Sequence, residues 1–331
     1  MFRKGLVFLA LAALCACSGG GASHKGATQG RTLIRFATDW RAEAEHGGFY
    51  EALAEGLYAK RGLDVRIVQG GPEVNVPELV ASGAVELGDG SNSFIVMNLA
   101  NEHAPVKAVA AFMQKDPQVL LAHPDAGIES LADMKGHPIL LSEASKTAFW
   151  PWLKAKYGFS DSQLRSYNSN SSLFIVNKNA VQEGYLTSEP YTIQKQAGFA
   201  PKVFLLADQG YPSYAAMVLA PDSLIAKNPA AVRAFVEASA LGWRDYLHGD
   251  PKPADAIILK DNPDMTEDIL AQARDKMRAY GLVDGGDAQK LGIGAMTDAH
   301  WAAFFKIVSP TGLANYKRAF TLAFLPNPPV K

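Results

Sequence analysis

The chain has 331 residues, with 32 basic and 33 acidic side chains and a formal charge of −1. That balance, without a basic block, argues against nucleic acid as a partner. Hydrophobic residues make up 48% of it, enough for a globular α/β core, and the length suggests two domains. The only cysteines are Cys15 and Cys17, so the body must build its core without disulfides, which a chain of this size can do.

At the front, Arg3 and Lys4 precede an apolar run from Gly5 to Leu14. The run is shorter than the ~20 residues a bilayer span needs and reads as a secretory signal over residues 1–16. Leu14-Cys15-Ala16-Cys17 is similar to a bacterial lipobox, although Cys15 in the penultimate position is unusual. On this reading Cys17 is acylated and becomes the first mature residue; the alternative is an ordinary cleaved signal. Residues 17–31 are rich in Gly, Ser and Ala and read as a flexible tether. No second long apolar run follows, so an N-terminal lipid would be the only hold on a membrane.

Predicted strands follow at Leu33–Ala37, Asp64–Val68, Leu87–Asp89, Val106–Ala111, Val119–Ala122, Ile139–Leu141, Phe174–Val176, Val203–Leu206 and Ala216–Leu219. Helical patterns between many of them argue for βαβ units and a largely parallel sheet. Phe49, Leu53 and Leu57 mark a helix over Phe49–Arg61 that stops at Gly62, and Val74–Ser82 is a second, shorter helix. Two runs match: Gln118–Ala122 followed by His123-Pro124-Asp125, and Ala216–Ala220 followed by Pro221-Asp222. They read as two crossings between lobes. Residues 32–122 and 215–331 then form a discontinuous first lobe and 123–214 the second. Beyond Pro221 the pattern is helical, over Ala230–Leu247, Thr266–Gly281 and Thr297–Val308, and this part is expected to pack on the first lobe.

Sequence-local catalytic and metal motifs are missing. None of the seven histidines forms an H-x-H or H-x-x-x-H pair, and there is no G-x-S-x-G elbow or phosphate loop. Gly70-Gly71-Pro72 is either a tight turn or a set of backbone N–H groups facing an anion. What remains is a set of polar and aromatic residues near predicted strand ends. It comprises Asp39 and Trp40, His46 and Tyr50, Ser91 and Asn92, Phe112 and Gln114, Ser145, Thr147 and Trp150, Tyr185, Glu189 and Tyr191, and Tyr214. Singly, each has a structural reading as a core aromatic, a helix cap or a turn residue. As a set, they fall where ligands bind in open α/β sheets, beyond the strand ends.

These residues also carry a family resemblance. Asp39-Trp40, His46-Gly47, Gly56-x₅-Gly62-Leu63-Asp64-Val65, Leu79-Val80-x-Ser82-Gly83, Gln114-Lys115-Asp116-Pro117, Leu131-x-Asp133-Met134-Lys135-Gly136, Ser188-Glu189-Pro190-Tyr191 and Tyr211-Pro212-x-Tyr214 form the matching set. The chain resembles periplasmic substrate-binding proteins of ABC importers, in the group related to thiamine-pyrimidine precursor synthase. The resemblance implies a type II-like two-lobe α/β fold, each lobe a central sheet flanked by helices, with two hinge crossings and a solute held between. It implies a permease and an ATPase as partners, an exported and lipid-anchored monomer, and no cofactor. The aromatics and the carboxylates Asp39 and Glu189 suit a ring bearing amino donors, such as hydroxymethyl- or formylaminomethyl-pyrimidine. Alternatives are an anion (an aliphatic sulfonate, taurine or nitrate), for which the loops offer only Arg41, Lys115 and Lys146, and riboflavin. Catalysis of the synthase type is disfavoured because the cysteine-rich iron motif expected of that enzyme is missing.

Overall fold

The computed structural model describes residues 30–71, 74–168 and 170–331. The signal, Cys17 and the tether as far as Gln29 lie outside the described residues.

Ten strands form two five-stranded sheets. The first is assembled from β1 (Thr32–Ala37), β2 (Leu63–Val68), β3 (Leu87–Gly90), β4 (Val106–Met113) and β10 (Ala215–Pro221), in the order β2-β1-β3-β10-β4. The second takes β5 (Gln118–Ala122), β6 (Ile139–Leu141), β7 (Leu164–Ser166), β8 (Val181–Tyr185) and β9 (Lys202–Leu205), in the order β7-β6-β8-β5-β9. Both sheets are mixed, where a largely parallel one was expected. β10 runs antiparallel to β3 and β4, and β5 antiparallel to β8 and β9. These antiparallel strands are the two that follow the crossings, so each enters its sheet from the opposite end.

Three sequence expectations change. Gln118–Ala122 belongs to the second sheet, because its backbone pairs with β8 and β9; the chain therefore crosses at residues 114–117, before this run. Phe174–Val176 lies in a short helix, Ser172–Val176, rather than a strand. The strand is Val181–Tyr185, which hid because its buried residues include Gln182 and Glu183. The helix that opens near Phe49 ends at Ala54. Gly56, at φ +66°, breaks the run before a 3₁₀ turn at Ala59–Arg61.

Glycines set how the first lobe packs. Helix Gly47–Ala54 lies on helix Pro229–His248, the longest helix of the described residues. A Cβ at Gly48 would come within 2.1 Å of the Trp243 ring, one at Gly47 within 2.0 Å of Tyr246, and one at Gly242 within 2.2 Å of the Gly48 carbonyl. Beneath that contact, Phe36, Phe49, Phe112 and Trp243 interlock, with Phe36–Phe49 centroids 4.6 Å apart and Phe49 edge-on to Phe112 at 5.3 Å. Such pairs add about 0.5–1.5 kcal/mol beyond burial. The C-terminal helices Glu267–Ala279 and Asp298–Val308 complete this lobe.

Two segments, 114–117 and 206–214, join the sheets, and they are stitched together. The Asp116 N–H donates to the Ser213 carbonyl (2.9 Å), and Ser93 Oγ accepts from Tyr214 N (2.9 Å). The Asp116 carboxylate is buried and accepts from the Gln118 N–H (3.0 Å). Tyr185 and Tyr211 are the titratable groups that feel its charge, and neither supplies a cation. Burial, only partly offset by the bonds from Gln118 and Ser213, pushes the Asp116 carboxyl up to about 7. An acid whose folded pKa lies above its unfolded value binds its proton more tightly in the native state, so stability falls as pH rises through that window. Asp116→Asn should therefore be more stable than the parent at pH 8, by as much as about 4 kcal/mol, and indistinguishable from it near pH 4. Urea unfolding of both proteins at the two pH values checks this.

Candidate functional site

Three chain segments converge between the sheets. Asp39 follows β1, and Asp89 lies in β3, which pairs with β1 through Phe36–Leu87 and Ala37–Gly88. His46 ends a 3₁₀ turn, Ala44–His46, directly ahead of the Gly47–Gly48 contact with Tyr246 and Trp243. Its ring is fixed by that packing and is 2% exposed. His46 Nε2 donates to Asp39 Oδ1 at 2.8 Å and lies 3.6 Å from Asp89 Oδ2.

Around these three lies a cavity of about 20 Å³ lined by Asp39, Glu43, Glu45, His46, Asp89, Ser91, Met113, Ala215 and Ala216 from the first lobe and Tyr185 from the second. It is a small void between two closed lobes, with four carboxylates and one imidazole in its wall. The charges act on one another. Burial pushes the Asp39 carboxyl up, but the bond from His46 and its positive field leave it below its ordinary value. Asp89 is driven well above the usual carboxylate range by burial and by neighbouring Asp39. Glu43 moves the same way, through burial and the charges of Glu45, Asp39, Glu189 and Asp89. Burial also raises Glu45, against the bond it accepts from Thr187. The Tyr185 hydroxyl is raised by burial and by the charges of Asp116, Asp39, Asp89 and Glu43.

The second lobe reaches across at two levels. Deep in the cleft, buried Thr187 donates to Glu45 while its carbonyl accepts from Gln272 Nε2. At the rim, Tyr191 Oη and Lys195 Nζ both donate to Asp268 Oδ2, at 2.6 and 2.7 Å. Glu189 holds the loop behind these contacts, because its carboxylate accepts from the Tyr185 N–H at 2.7 Å. Gly184 leaves the room for it, since a Cβ there would fall 2.7 Å from the Glu189 side chain. Burial pushes Glu189 up to about 7.

Of the residues singled out in the sequence, Asp39, His46, Ser91 and Tyr185 line this cavity, with Glu189 and Tyr191 in the first turn of helix Glu189–Ala197 beside it. The rest lie elsewhere, each for a packing reason. Tyr50 and Phe112 are buried in the aromatic core. Tyr214 is buried against His300, with ring centroids 3.8 Å apart, and its hydroxyl donates to Asp287. Trp150 packs on Phe159 and donates to Asp161. Gln114 braces the first crossing by donating to the Ala111 and Ala295 carbonyls. Asn92 caps helix Ser93–Asn101. Thr147 is exposed and donates to the Ala144 carbonyl. Ser145 belongs to a cluster with Ser142 and Glu183 in the second lobe. Trp40 is half-buried, its carbonyl held by Thr38 Oγ1 and the Gly70 N–H. Sequence reasoning passed over Glu43, Glu45, Thr187, Asp268 and Gln272. Glu43 and Glu45 were the findable ones, being acids two apart immediately before His46.

Fold and cleft define a class: two sheets joined by two crossings, with a cleft between them, make the two-lobe α/β fold of periplasmic binding proteins. A periplasmic sulfonate-binding protein SsuA of a sulfonate ABC transporter from Methylobacillus flagellatus KT superposes with a TM-score of 0.61. It is 15% identical, over 89% of this chain and 93% of that one. Residues 43–254 match the family described as NMT1/THI5 like, and the chain belongs to that family. Among characterised relatives it is similar to the riboflavin-binding protein RibY of Chloroflexus aurantiacus (24% identical over 306 residues, 88% of this chain and 86% of that one). It is also similar to the formylaminopyrimidine-binding protein of Halalkalibacterium halodurans (25% over 300 residues, 87% and 83%). Among the described residues no helix is long and apolar enough to cross a membrane.

The rim contacts on Asp268 are solvent-exposed and contribute little individually. Asp268→Ala should leave the unfolding free energy within about 1 kcal/mol of the parent while loosening the closed form. Small-angle scattering of the solute-free protein should then report a larger radius of gyration; an unchanged value would assign closure to the Thr187–Glu45 contact alone.

Proposed function

We propose that this protein captures a small heteroaromatic solute bearing ring amino donors, of the hydroxymethyl- or formylaminomethyl-pyrimidine kind, and delivers it to a permease and its ATPase. The observation that carries this reading is the charge of the cleft. Asp39, Glu43, Glu45 and Asp89 line it, and His46 is the only basic side chain in the wall. Amino groups donate to carboxylates in strong, charge-assisted bonds. A sulfonate or nitrate would meet the Asp39 charge and find one imidazole as its cationic partner in the wall, so desolvation would oppose it. The Tyr185 ring offers a flat face from the opposite lobe. Similarity to a formylaminopyrimidine-binding protein supports the same reading. Riboflavin is the second reading, favoured by the RibY relative; it is also uncharged and rich in ring nitrogens.

In this account residues 1–16 are a lipoprotein signal, Cys17 carries the lipid and the body is a monomer tethered to the membrane. The first lobe takes residues 32–113 and 215–331, and the second 118–205, with the joining segments acting as the hinge. A cavity of about 20 Å³ is smaller than any such ring, so the solute enters an opened cleft, and closure follows.

Calorimetry with hydroxymethylpyrimidine, formylaminomethylpyrimidine, riboflavin, taurine, an alkanesulfonate and nitrate tests the proposal. A pyrimidine should bind with the highest affinity. Binding confined to the sulfonates and nitrate would reject it, and binding of riboflavin alone would move the assignment to the second reading. Asp39→Ala should weaken the preferred solute by about 10- to 100-fold, the worth of one charge-assisted hydrogen bond, with little change in the melting temperature of the solute-free protein.

A further inference from the structure

Asp39, His46 and Asp89 each offer one ligand atom, and the three lie within 4.8 Å of one another. Two spacings about His46 Nε2 are 2.8 Å to Asp39 Oδ1 and 3.6 Å to Asp89 Oδ2. Tetrahedral zinc, with bonds of about 2.0–2.2 Å, spaces its ligand atoms by about 3.3–3.6 Å, a range that those two spacings bracket. A second observation is independent of the clustering. Asp89 is 3% exposed, lines the cavity, and its Oδ1 has no hydrogen-bond partner. A buried carboxylate oxygen without a donor is costly, and a cation removes that cost. Size agrees as well. One water needs roughly 10–15 Å³ of such space, so a cavity of about 20 Å³ admits a bare or singly hydrated ion in the closed form.

We propose that Asp39, His46 and Asp89 form a binding site for a divalent cation, zinc or manganese, on the first lobe of the cleft. All three ligands come from the first lobe, so the site exists before the lobes close. It does not rest on the identity of the solute. Three protein ligands leave a coordination position open toward Ser91 and Tyr185, where water or a solute nitrogen or oxygen completes the shell. Glu43 and Glu45 remain free to accept from solute donors. His46 Nδ1 has no partner within the protein. Outer-shell partners of ligating histidines are worth about 10- to 100-fold in metal affinity, so this site should be weaker than a structural zinc centre by that factor.

The test uses the untagged full-length chain, stripped with a chelator and then dialysed against Zn²⁺, Mn²⁺, Mg²⁺ and Co²⁺ in turn, with bound metal counted by mass spectrometry. One equivalent of Zn²⁺ or Mn²⁺ should bind, and the melting temperature should rise by about 5 °C at a hundredfold excess over Kd. Asp89→Asn and His46→Gln should each lose at least tenfold in affinity. Asp89→Asn keeps the side-chain shape, and circular dichroism checks that it is folded. The visible spectrum of the Co²⁺ form gives a reading without mutation. Oxygen and nitrogen ligation is expected, and a thiolate charge-transfer band would assign the metal to Cys15 or Cys17 and overturn the proposal. Absence of stoichiometric binding, or equal affinity in both variants, would overturn it too. Solute calorimetry in the presence of chelator separates the two readings: solute binding without metal binding sinks only the cation site, and metal binding with no response to the solute panel sinks only the solute assignment.

Discussion

The arrangement turns on one electrostatic constraint: four carboxylates and a single imidazole share a small cavity between two lobes. In such surroundings like charges repel far more strongly than in water, and each buried carboxylate must be protonated, bonded or neutralised by something that enters. Asp39 is satisfied by His46. Asp89, Glu43 and Glu45 are pushed toward their protonated forms. On the proposed reading a wall of this kind discriminates by charge before it discriminates by shape, although the backbone superposes on that of a sulfonate-binding protein.

Such a constraint has consequences only if the charges are held still. Asp39 and Asp89 stand at the ends of paired strands, and His46 precedes a helix that cannot shift without driving Gly47 and Gly48 into Tyr246 and Trp243. The same glycines that allow close packing of the two helices therefore fix the imidazole against the carboxylates. Packing in the lobe core and chemistry in the cleft are two effects of one helix contact. The double crossing, by contrast, is short, lies outside both sheets and is tied by a few bonds among Asp116, Ser213, Ser93 and Tyr214.

Much of this was legible in the sequence, and the failures have physical causes. Ile139–Leu141 was readable because all three residues are buried, and Leu33–Ala37 because Ile34 and Phe36 alternate into the core. Val181–Tyr185 was not, because buried Gln182 and Glu183 break the apolar run. The short apolar run Phe174–Val176 was ambiguous between helix and strand, as such runs are. At the site, Asp39 and His46 were found because they sit where strands and helices begin and end. The aromatics misled. Tyr50, Phe112, Trp150 and Tyr214 have the residue types of a stacking platform but pack in the cores, which is where large rings gain most from burial. Glu43 and Glu45 were missed because acids in a loop normally signal solvent, and only the second lobe closing over them makes them buried.

The contacts that close the lobes also constrain how the protein signals. At the rim they are exposed bonds to Asp268, and deeper they amount to Thr187 between Glu45 and Gln272. Against them stands the desolvation of the carboxylates as Tyr185 and its loop come down. A guest can shift the balance between open and closed forms only by the difference in its affinity for the two. Under the proposed function a donor-rich guest has that difference: it bonds to the carboxylates of one lobe and the ring of the other only when both are present. The groups that would select such a guest are then also the groups that would couple its capture to closure.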